Sequence, residues 1–218
     1  MRVDAPQSKP RVLASPVAVV LRSKAECVGD RQLEEFQAGE GPAAGEVAII
    51  LENLLSGEAL PQTVALLKDD SSGKLLGIAS VRSDGNEQIR SKASTPWFLR
   101  RLAVNPYVNL VARDARYRNH LLCDGQTRLG VALVRAALEV VALQHDGDGA
   151  MPTVWALIRR RNEVSKRVFR EFAFYPHARS HENQQDVFVR RAGRGLPPAP
   201  ARDAYVPPSA TGTRLTSR

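Results

Sequence analysis

Two segments of the chain lead from a predicted strand to the start of a predicted helix, and the first of them has small residues that could allow phosphate to bind. Trp97 to Val104 is predicted to form a strand, which Asn105-Pro106 ends because proline disfavours helix before itself and cannot donate to a ladder. After a polar connection, Thr127-Arg128-Leu129-Gly130-Val131-Ala132 opens an apolar-rich helix. Gly130 and Ala132 keep the backbone bare at the first turn, where free N–H groups and the positive end of the helix dipole can receive a pyrophosphate. Small residues at this point can equally serve close packing of the helix on a sheet.

A second helix start follows the next predicted strand, Thr153 to Ile158. Asn162 is a good N-cap for a helix to about Phe172, because its side-chain oxygen can accept a hydrogen bond from a free amide. The run Arg159-Arg160-Arg161 directly before it is strongly basic. We interpret this run as a solvated strand end rather than a nucleic-acid site, since no aromatic-interleaved pattern accompanies it.

The remaining elements are predicted from hydrophobic periodicity and turn signals. A strand is expected from Arg11 to Leu21, with Pro16 confining it to an edge or splitting it in two. Ser23 and Glu26 have the spacing of a capping box, which predicts a helix to about Gln37. The other predicted elements are a helix with the buried stripe Val47, Ile50, Leu51, Leu54 and Leu55, ended by Gly57; a hairpin of strands 63–67 and 75–81; the helix from Thr127 to Leu143, ended by 146–149; and a closing strand pair, 174–178 and 186–190, joined around 181–183.

Composition and charge restrict the class of protein. The chain has 218 residues, of which 43% are hydrophobic and 25% charged, an ordinary composition for a folded protein. The run Val17 to Leu21 is too short to span a membrane, and the first residues lack a basic-then-apolar leader, so we expect a cytoplasmic protein. Cys27 and Cys123 are too few for a disulfide framework, and no Cys or His spacing indicates a metal site.

The net charge of +8 indicates a polyanionic partner, which could be nucleic acid, a phosphorylated cofactor or an acidic protein surface. The charge is unevenly distributed: the segment from Lys24 to Leu60 is mainly acidic, whereas Arg90 to Arg128 is mainly basic. We therefore expect an anion site in the second half of the chain.

Taken together, these segments resemble the GNAT superfamily of acetyl-CoA-dependent N-acetyltransferases. In that superfamily a strand ending Leu-Ala-Val-x-Pro precedes a [Gln/Arg]-x-x-Gly-x-[Gly/Ala] motif, and a later strand leads into Asn-x-x-[Ser/Ala]-x-x-x-Tyr-x-x-x-Gly-Phe. At matching spacings this chain has Leu102-Ala103-Val104-Asn105-Pro106, then Thr127, Gly130 and Ala132, then Asn162, Ser165, Phe169, Ala173 and Phe174. The resemblance covers Arg11 to Arg191.

The resemblance implies a GNAT-like fold of the α/β (α+β) class, with a central mixed, mostly antiparallel sheet flanked by about four helices. This domain would cover residues 1–192. The sequence from 193 to 218 is rich in Pro, Ala and Arg with little periodicity, which predicts a flexible tail.

The resemblance also implies where acetyl-CoA (coenzyme A) would bind. The pantetheine arm would pair with strand backbone at Leu102, Ala103 and Val104, and Asn162 would bond the same side of the cofactor. The pyrophosphate would rest on the amides of Arg128, Leu129, Gly130, Val131 and Ala132, with arginine side chains such as that of Arg128 meeting the phosphates.

The chain departs from the superfamily pattern at three places. Thr127 occupies the usual Gln or Arg position, and Phe169 stands where a tyrosine often protonates the departing thiolate. An insert from Tyr107 to Gln126 lies beside the predicted cleft. No catalytic acid or base is therefore identified, and the candidates for proton handling are Tyr107, Tyr117, His120, Ser165, Tyr175 or water.

The resulting expectation is an N-acetyltransferase that moves an acetyl group directly from acetyl-CoA to a primary amine of a small molecule or protein. The segment between the first helices commonly borders the acceptor in this fold, so carboxylates there would attract a cationic amine: Glu34, Glu35, Glu40 and Glu46. Two alternatives stay open, a non-catalytic acyl-CoA-binding module and a basic RNA-binding or RNA-modifying protein. Nucleic acid is not favoured as a partner, and a homodimer is left open.

Overall fold

Within residues 9–39, 44–56, 62–145, 151–180, 184–193, 195–201 and 203–208, the computed structural model contains ten strands and six α-helices. The strands are β1 Arg11–Val12, β2 Val17–Ser23, β3 Thr63–Asp69, β4 Leu75–Arg82, β5 Tyr107–Arg113, β6 His120–Leu121, β7 Val154–Arg159, β8 Tyr175–Ser180, β9 Gln185–Arg190 and β10 Tyr205–Val206. The helices are α1 Arg31–Glu34, α2 Ala44–Leu55, α3 Glu87–Ser91, α4 Trp97–Leu102, α5 Leu129–Gln144 and α6 Glu163–Glu171. No helix in these ranges has the length and apolar character needed to cross a membrane.

Eight of the strands form one sheet in the order β10-β2-β3-β4-β5-β7-β9-β8, and β1 pairs with β6 separately. Neighbouring strands of the eight-stranded sheet are antiparallel, except for the pairs β10-β2 and β5-β7, which are parallel. This confirms the predicted mixed, mostly antiparallel sheet. The helices of the described residues number six rather than about four, because α3 and α4 occupy the connection between β4 and β5.

Successive strand residues point to opposite faces of a sheet, and two apolar clusters follow this rule. Leu67 and Ala79 belong to the cluster that contains α5 and α6, whereas their neighbours Leu66 and Ile78 belong to the cluster that contains α1 and α2. Residues of α4 form a third cluster with Tyr107 and Trp155. The central sheet is therefore covered by helices on both faces.

Helix α5 lies unusually close to the sheet at Gly77 on β4. A Cβ built at Gly77 would lie 2.7 Å from Leu133 Cδ1 and 3.0 Å from the carbonyl oxygen of Ala112. Only a residue without a side chain allows this contact, so Gly77 fixes how α5 packs on the sheet.

The prediction of a strand from Trp97 to Val104 is wrong, because this segment contains helix α4. Leu99 and Leu102 are buried three residues apart, while Arg100 and Arg101 between them are exposed, which is a helical rather than an alternating pattern. The strand that belongs here is β5, so the predicted insert from 107 to 126 begins with a central strand of the sheet.

Two further predictions near the N-terminus are partly corrected. The capping box forms, with the Ser23 amide 2.7 Å from Glu26 Oε2, but it starts only a 3₁₀ turn. Gly29 with φ of +73° ends that turn, and Asp30 caps the separate helix α1. The sequence allowed Pro16 either to confine the first strand to a sheet edge or to split it. The structure shows the split, into β1 and β2.

The other helix and strand predictions are confirmed to within a few residues: α2, the β3–β4 hairpin, α5, β7, α6 and the β8–β9 pair. The expected helix ends at Gly57 and at 146–149, and the turn at 181–183, lie outside the described residues.

The prediction of a flexible tail from 193 is corrected for the part that the structure describes. Strand β10 pairs in parallel with β2, and Tyr205 is buried with its hydroxyl 2.6 Å from Glu139 Oε2 on α5. Arg190 Nη2 donates to the Gly195 carbonyl at 2.7 Å. Apolar burial and these hydrogen bonds hold the segment against the sheet despite its proline content.

Candidate functional site

Strands β5 and β7 are neighbours for only a short distance and then diverge. Their parallel ladder consists of two pairs, Tyr107 with Trp155 and Val108 with Ala156. Beyond these pairs β5 continues to Arg113 along β4, and β7 continues to Arg159 along β9. The divergence opens a cleft whose two walls carry backbone N–H and C=O groups without a ladder partner across it.

A β-bulge in β5 lies where the cleft begins. Val81 pairs with Val108 and Ser80 pairs with Leu110, so Asn109 is an extra residue on β5. A bulge bends its strand, which accounts for the separation of β5 from β7 directly after Val108.

The N-terminus of α5 follows β5 in the chain, and its first amides lack acceptors within the helix. The amides of Val131 and Ala132 both donate to the Arg128 carbonyl, at 2.9 and 3.2 Å. The amides of Leu129 and Gly130 in the first turn have no acceptor within the helix. Because α5 has 16 residues and no side-chain cap at Arg128, its positive dipole end is open to an anion.

Gly130 is not required for packing. A Cβ built at this position would meet only Val168 Cγ2, at an ordinary 3.8 Å. Ala132, in contrast, is fully buried in the core, so its small size serves packing. Of the two roles that the sequence allowed for these small residues, close packing therefore applies to Ala132. The open surface at Gly130 fits the other role, an anion cradle.

Three arginines gather beside this helix start. Burial lowers the pKa of Arg113, and the neighbouring charges of Arg118 and Arg128 lower it further. None of the three forms an ion pair with a carboxylate of the described residues. The positive surface continues into a neighbouring cavity of about 180 Å³, which is lined by Lys9, Arg11, Arg116, Arg118 and His120. The like charges of Arg113, Arg118 and Arg128, without a counter-ion among the described residues, are a suitable site for a polyanion.

The predicted pantetheine-binding residues do not lie on the cleft. Leu102 closes α4, and Ala103 and Val104 follow it in a turn. Pairing with a ligand amide needs an extended strand, and the structure provides it at Asn109 to Arg113 instead. The signal for β5 was present in the sequence, since Tyr107 to Ala112 is rich in aromatic and branched residues.

Two other predicted cofactor residues have partners within the fold. The Thr127 hydroxyl donates to Asp124 Oδ2 at 2.5 Å, and its amide donates to Asp124 Oδ1 at 2.8 Å. Asn162 caps α6 as predicted, with Oδ1 accepting from the Ser165 amide at 3.1 Å. The amides of Val131 and Ala132 already bond within α5, which reduces the predicted cradle to Arg128, Leu129 and Gly130.

No tyrosine takes the place of the missing acid on α6. Phe169 is buried, with its ring centroid 5.0 Å from that of Phe174. Among the other candidates, Tyr117 packs its ring against His120 at 5.3 Å, and the Tyr175 hydroxyl accepts from Arg191 Nε at 2.8 Å. Tyr107 is buried at the start of the cleft.

Of the four predicted acidic residues, Glu46 lies at the cleft. Its Oε1 is 2.8 Å from Arg159 Nε, at the end of β7. Glu35, which follows α1, forms an exposed ion pair with Arg31. Glu34 lies on this short helix, and Glu40 is outside the described residues.

Comparison with known proteins identifies the fold. No protein-family model matches the sequence, and no curated protein matches it. The arginine/ornithine succinyltransferase subunit AI from Pseudomonas aeruginosa is similar in structure with a TM-score of 0.54 and 10% identity, covering 81% of this chain and 77% of that chain. This similarity shows a shared fold.

Two further solved structures are similar at lower TM-scores. One is a protein assigned to the GNAT acetyltransferase family from Bordetella pertussis, with a TM-score of 0.46 and 18% identity over 78% of this chain and 93% of that chain. The other is the Campylobacter jejuni N-acetyltransferase PseH in complex with acetyl coenzyme A, with a TM-score of 0.43 and 10% identity over 79% and 98%.

Proposed function

We propose that this chain is an acetyl-CoA-dependent N-acetyltransferase that acts on a primary amine. The observation that carries the proposal is the continuity of the site: the cleft between β5 and β7 leads to the bare first turn of α5 beside three arginines. Coenzyme A has the matching order of groups, since an amide-containing arm precedes its phosphates. The phosphates of coenzyme A would then account for the basic character of the second half of the chain.

The residues present fit this cofactor along its length. The backbone of Asn109 to Arg113 would pair with the pantetheine amides, in place of the helix-end residues first expected. The amides of Leu129 and Gly130 would hold the pyrophosphate, because a backbone without Cβ allows close approach. The guanidinium groups of Arg113, Arg118 and Arg128 would neutralise the remaining phosphate charge.

Acetyl-CoA would supply an activated acetyl thioester, whose C–S bond breaks as the amine forms a C–N bond. An ammonium group would first lose one proton to solvent, because only the neutral amine has a lone pair; the nitrogen would lose a second proton as the amide forms, and one proton would reach the thiolate. Backbone N–H groups of β5 that face the cleft can polarise a carbonyl there by hydrogen bonding. The Glu46 carboxylate at the end of β7 attracts a cationic amine. Because Phe169 is part of the core, we assign the protonation of the thiolate to water.

The test is calorimetric titration with acetyl-CoA and with free CoA against wild type, Gly130→Asp and the matched control Gly130→Ala. The aspartate puts a carboxylate beside the pyrophosphate, and we expect its affinity to fall at least about tenfold. The alanine Cβ has room at 3.8 Å from Val168, so this variant should stay folded and keep most of its affinity. Absence of binding to the wild type at about a millimolar, the weakest affinity of interest, would refute the cradle.

One observation favours a second candidate, a non-catalytic acyl-CoA-binding module. The chain has a buried phenylalanine at position 169 where a hydroxyl could act as the acid. Release of free thiol in the presence of amines distinguishes the two functions. Saturable cofactor binding without thiol release over a broad amine panel would establish the binding module instead.

A further inference from the structure

Arg82, the last residue of β4, is a buried arginine with two unpaired donors within the part of the chain that the structure describes. Only 4% of the residue is exposed, and its Nε and Nη2 have no hydrogen-bond acceptor among the described residues. A buried guanidinium normally has its donors paired, because leaving a buried charge unpaired is strongly destabilising. An acceptor from outside the chain is the natural partner.

The two unpaired donors of Arg82 define the shape of that partner. Nε and Nη2 lie along one edge of the guanidinium plane, and this edge matches the two oxygens of a carboxylate in a pair of parallel hydrogen bonds. A single neutral carbonyl or hydroxyl oxygen would leave the buried positive charge uncompensated. The side chain therefore fits an oxyanion.

Arg82 lies beside the point where the cleft opens. It pairs across the ladder with Tyr107, which in turn pairs with Trp155 before β5 and β7 diverge. Tyr107 packs in the cluster with α4, on the face opposite α5, whereas its neighbour Val108 packs on the α5 face. The side chain is thus on the other face of the sheet from the phosphate cradle.

A carboxylate whose charge also acts on Tyr107 lies beside a carbonyl oxygen without a partner among the described residues. Glu46 Oε1 accepts from Gln185 Nε2 at 3.1 Å, and Gln185 Oε1 is buried without a partner among the described residues. Burial raises the pKa of Tyr107, the Arg82 charge opposes this shift and the Glu46 charge adds to it, so both charges act on one phenol. An unpaired cationic edge and an unpaired acceptor beside a carboxylate complement a molecule that carries both a carboxylate and an amine.

We propose that the acceptor is an amine that also carries a carboxylate, an amino acid in the simplest case. Arg82 binds the carboxylate through Nε and Nη2, and the amine faces Glu46 and Gln185. This inference rests on the proposed acetyl transfer for its reaction, but the recognition of a carboxylate by Arg82 is a binding property that can be measured alone.

The experiment compares a panel of L-amino acids with the matching L-amino acid amides, which keep the amine and remove the carboxylate charge. Binding is measured by calorimetry, with and without free CoA, and turnover is measured by thiol release from acetyl-CoA. The variants are Arg82→Met, Arg82→Lys and the control Arg22→Met, whose arginine is exposed on β2 and paired with Glu26. Circular dichroism establishes that each variant is folded.

We expect the wild type and Arg22→Met to bind at least one amino acid about tenfold or more tightly than its amide, the scale of a desolvated charge pair. Arg82→Met should remove this preference while affinity for the amide stays unchanged. Arg82→Lys keeps the charge but loses the two-donor edge, so the preference should fall several-fold. This variant also carries the test if Arg82→Met does not fold.

Three results would overturn the proposal: equal affinity of the wild type for acids and amides, no binding of any amino acid, or an equal loss for acids and amides in Arg82→Met, which would mark a purely structural role. Failure of the acetyl-transfer function is seen separately, as the absence of a CoA isotherm or of thiol release. In that case the wild type would still bind the amino acid more tightly than its amide in the titrations without CoA.

Discussion

The hydroxyl of Tyr205 connects strand β10 to helix α5, and the substitution Tyr205→Phe tests this connection. The hydroxyl donates to Glu139 Oε2 at 2.6 Å, and Arg135 Nε donates to Oε1 of the same carboxylate at 2.7 Å. Arg135 Nη1 donates to the Pro197 carbonyl at 2.7 Å. The Glu139 side chain is only 13% exposed, so water cannot fully replace a lost donor.

Removing a hydrogen bond to a buried charged group costs about 1.5–3 kcal/mol in free energy of unfolding, and for a domain of this size about 2 kcal/mol lowers Tm by about 4–8 °C. Burial raises the pKa of Glu139, while the Tyr205 hydrogen bond and the Arg135 charge oppose that rise. A carboxyl group whose folded pKa lies above its unfolded one loses stability as the pH rises from its ordinary pKa through the raised value. Tyr205→Phe raises the folded pKa further, so its destabilisation should be larger at pH 7 than at pH 4.

The assay is urea unfolding followed by circular dichroism at pH 4 and pH 7. The control is Tyr175→Phe, since the Tyr175 hydroxyl also hydrogen-bonds, to Arg191, but at an exposed position where the expected cost is below about 0.5 kcal/mol. Equal stabilities of the two variants at pH 7 would refute the reasoning. A destabilisation of Tyr205→Phe that does not change with pH would show that Glu139 is not the group affected.

Two further predictions concern packing and acid stability. Gly77→Ala places a Cβ 2.7 Å from Leu133 Cδ1 and should destabilise the fold by about 1–3 kcal/mol in urea unfolding, whereas Gly45→Ala, with no atom within 4 Å of its Cβ, should not. At Asp69, burial alone would raise the pKa, but hydrogen bonds from three serines led by Ser15 outweigh it and lower the pKa. The Asp69 carboxylate therefore stabilises the fold above the ordinary aspartate pKa of about 4, and this stabilisation is lost as the pH falls through the lowered pKa of the folded state. The difference in free energy of unfolding between wild type and Asp69→Asn should narrow from pH 7 to pH 3. A difference that stays constant would contradict this.

The parts of the fold that the sequence predicted are those determined by neighbouring residues. The stripe of α2, the Asn162 cap of α6 and the polar turn between β3 and β4 each involve interactions within one element or one hairpin. Periodicity and capping are local properties, and they were sufficient for these elements. Strand order and the attachment of β10 depend on contacts between distant segments, which no local pattern contains.

The error at 97–104 has a definite physical origin. The Leu102-Ala103-Val104-Asn105-Pro106 run matches a strand motif, whereas the buried residues of α4 have helical spacing. The alternating burial of β5, with Leu110 and Ala112 on one face, was a better indication of a strand. Periodicity reflects burial directly, whereas a short motif of common apolar residues also occurs in helices.

The proposed phosphate cradle and the proposed acceptor side of the candidate site differ in how far they can be predicted from a sequence. The cradle at Gly130 belongs to one helix start, and its glycine could be recognised from spacing alone. The acceptor side joins Glu46, Arg82, Tyr107 and Gln185, which come from α2, β4, β5 and β9. Only the sheet order places these strands together, and only burial shows that Arg82 has unpaired donors.

The two halves also have different consequences for function. The proposed cradle would use backbone amides and arginine side chains, so it would recognise phosphate in any coenzyme A thioester and leave the acyl group unspecified. The acceptor side uses buried side chains, and a buried polar group left unpaired by the wrong substrate costs more than a lost surface contact. Specificity for the amine should therefore depend mainly on Arg82 and Gln185, and substitutions in the cradle should change the affinity for the cofactor without changing which amine is selected.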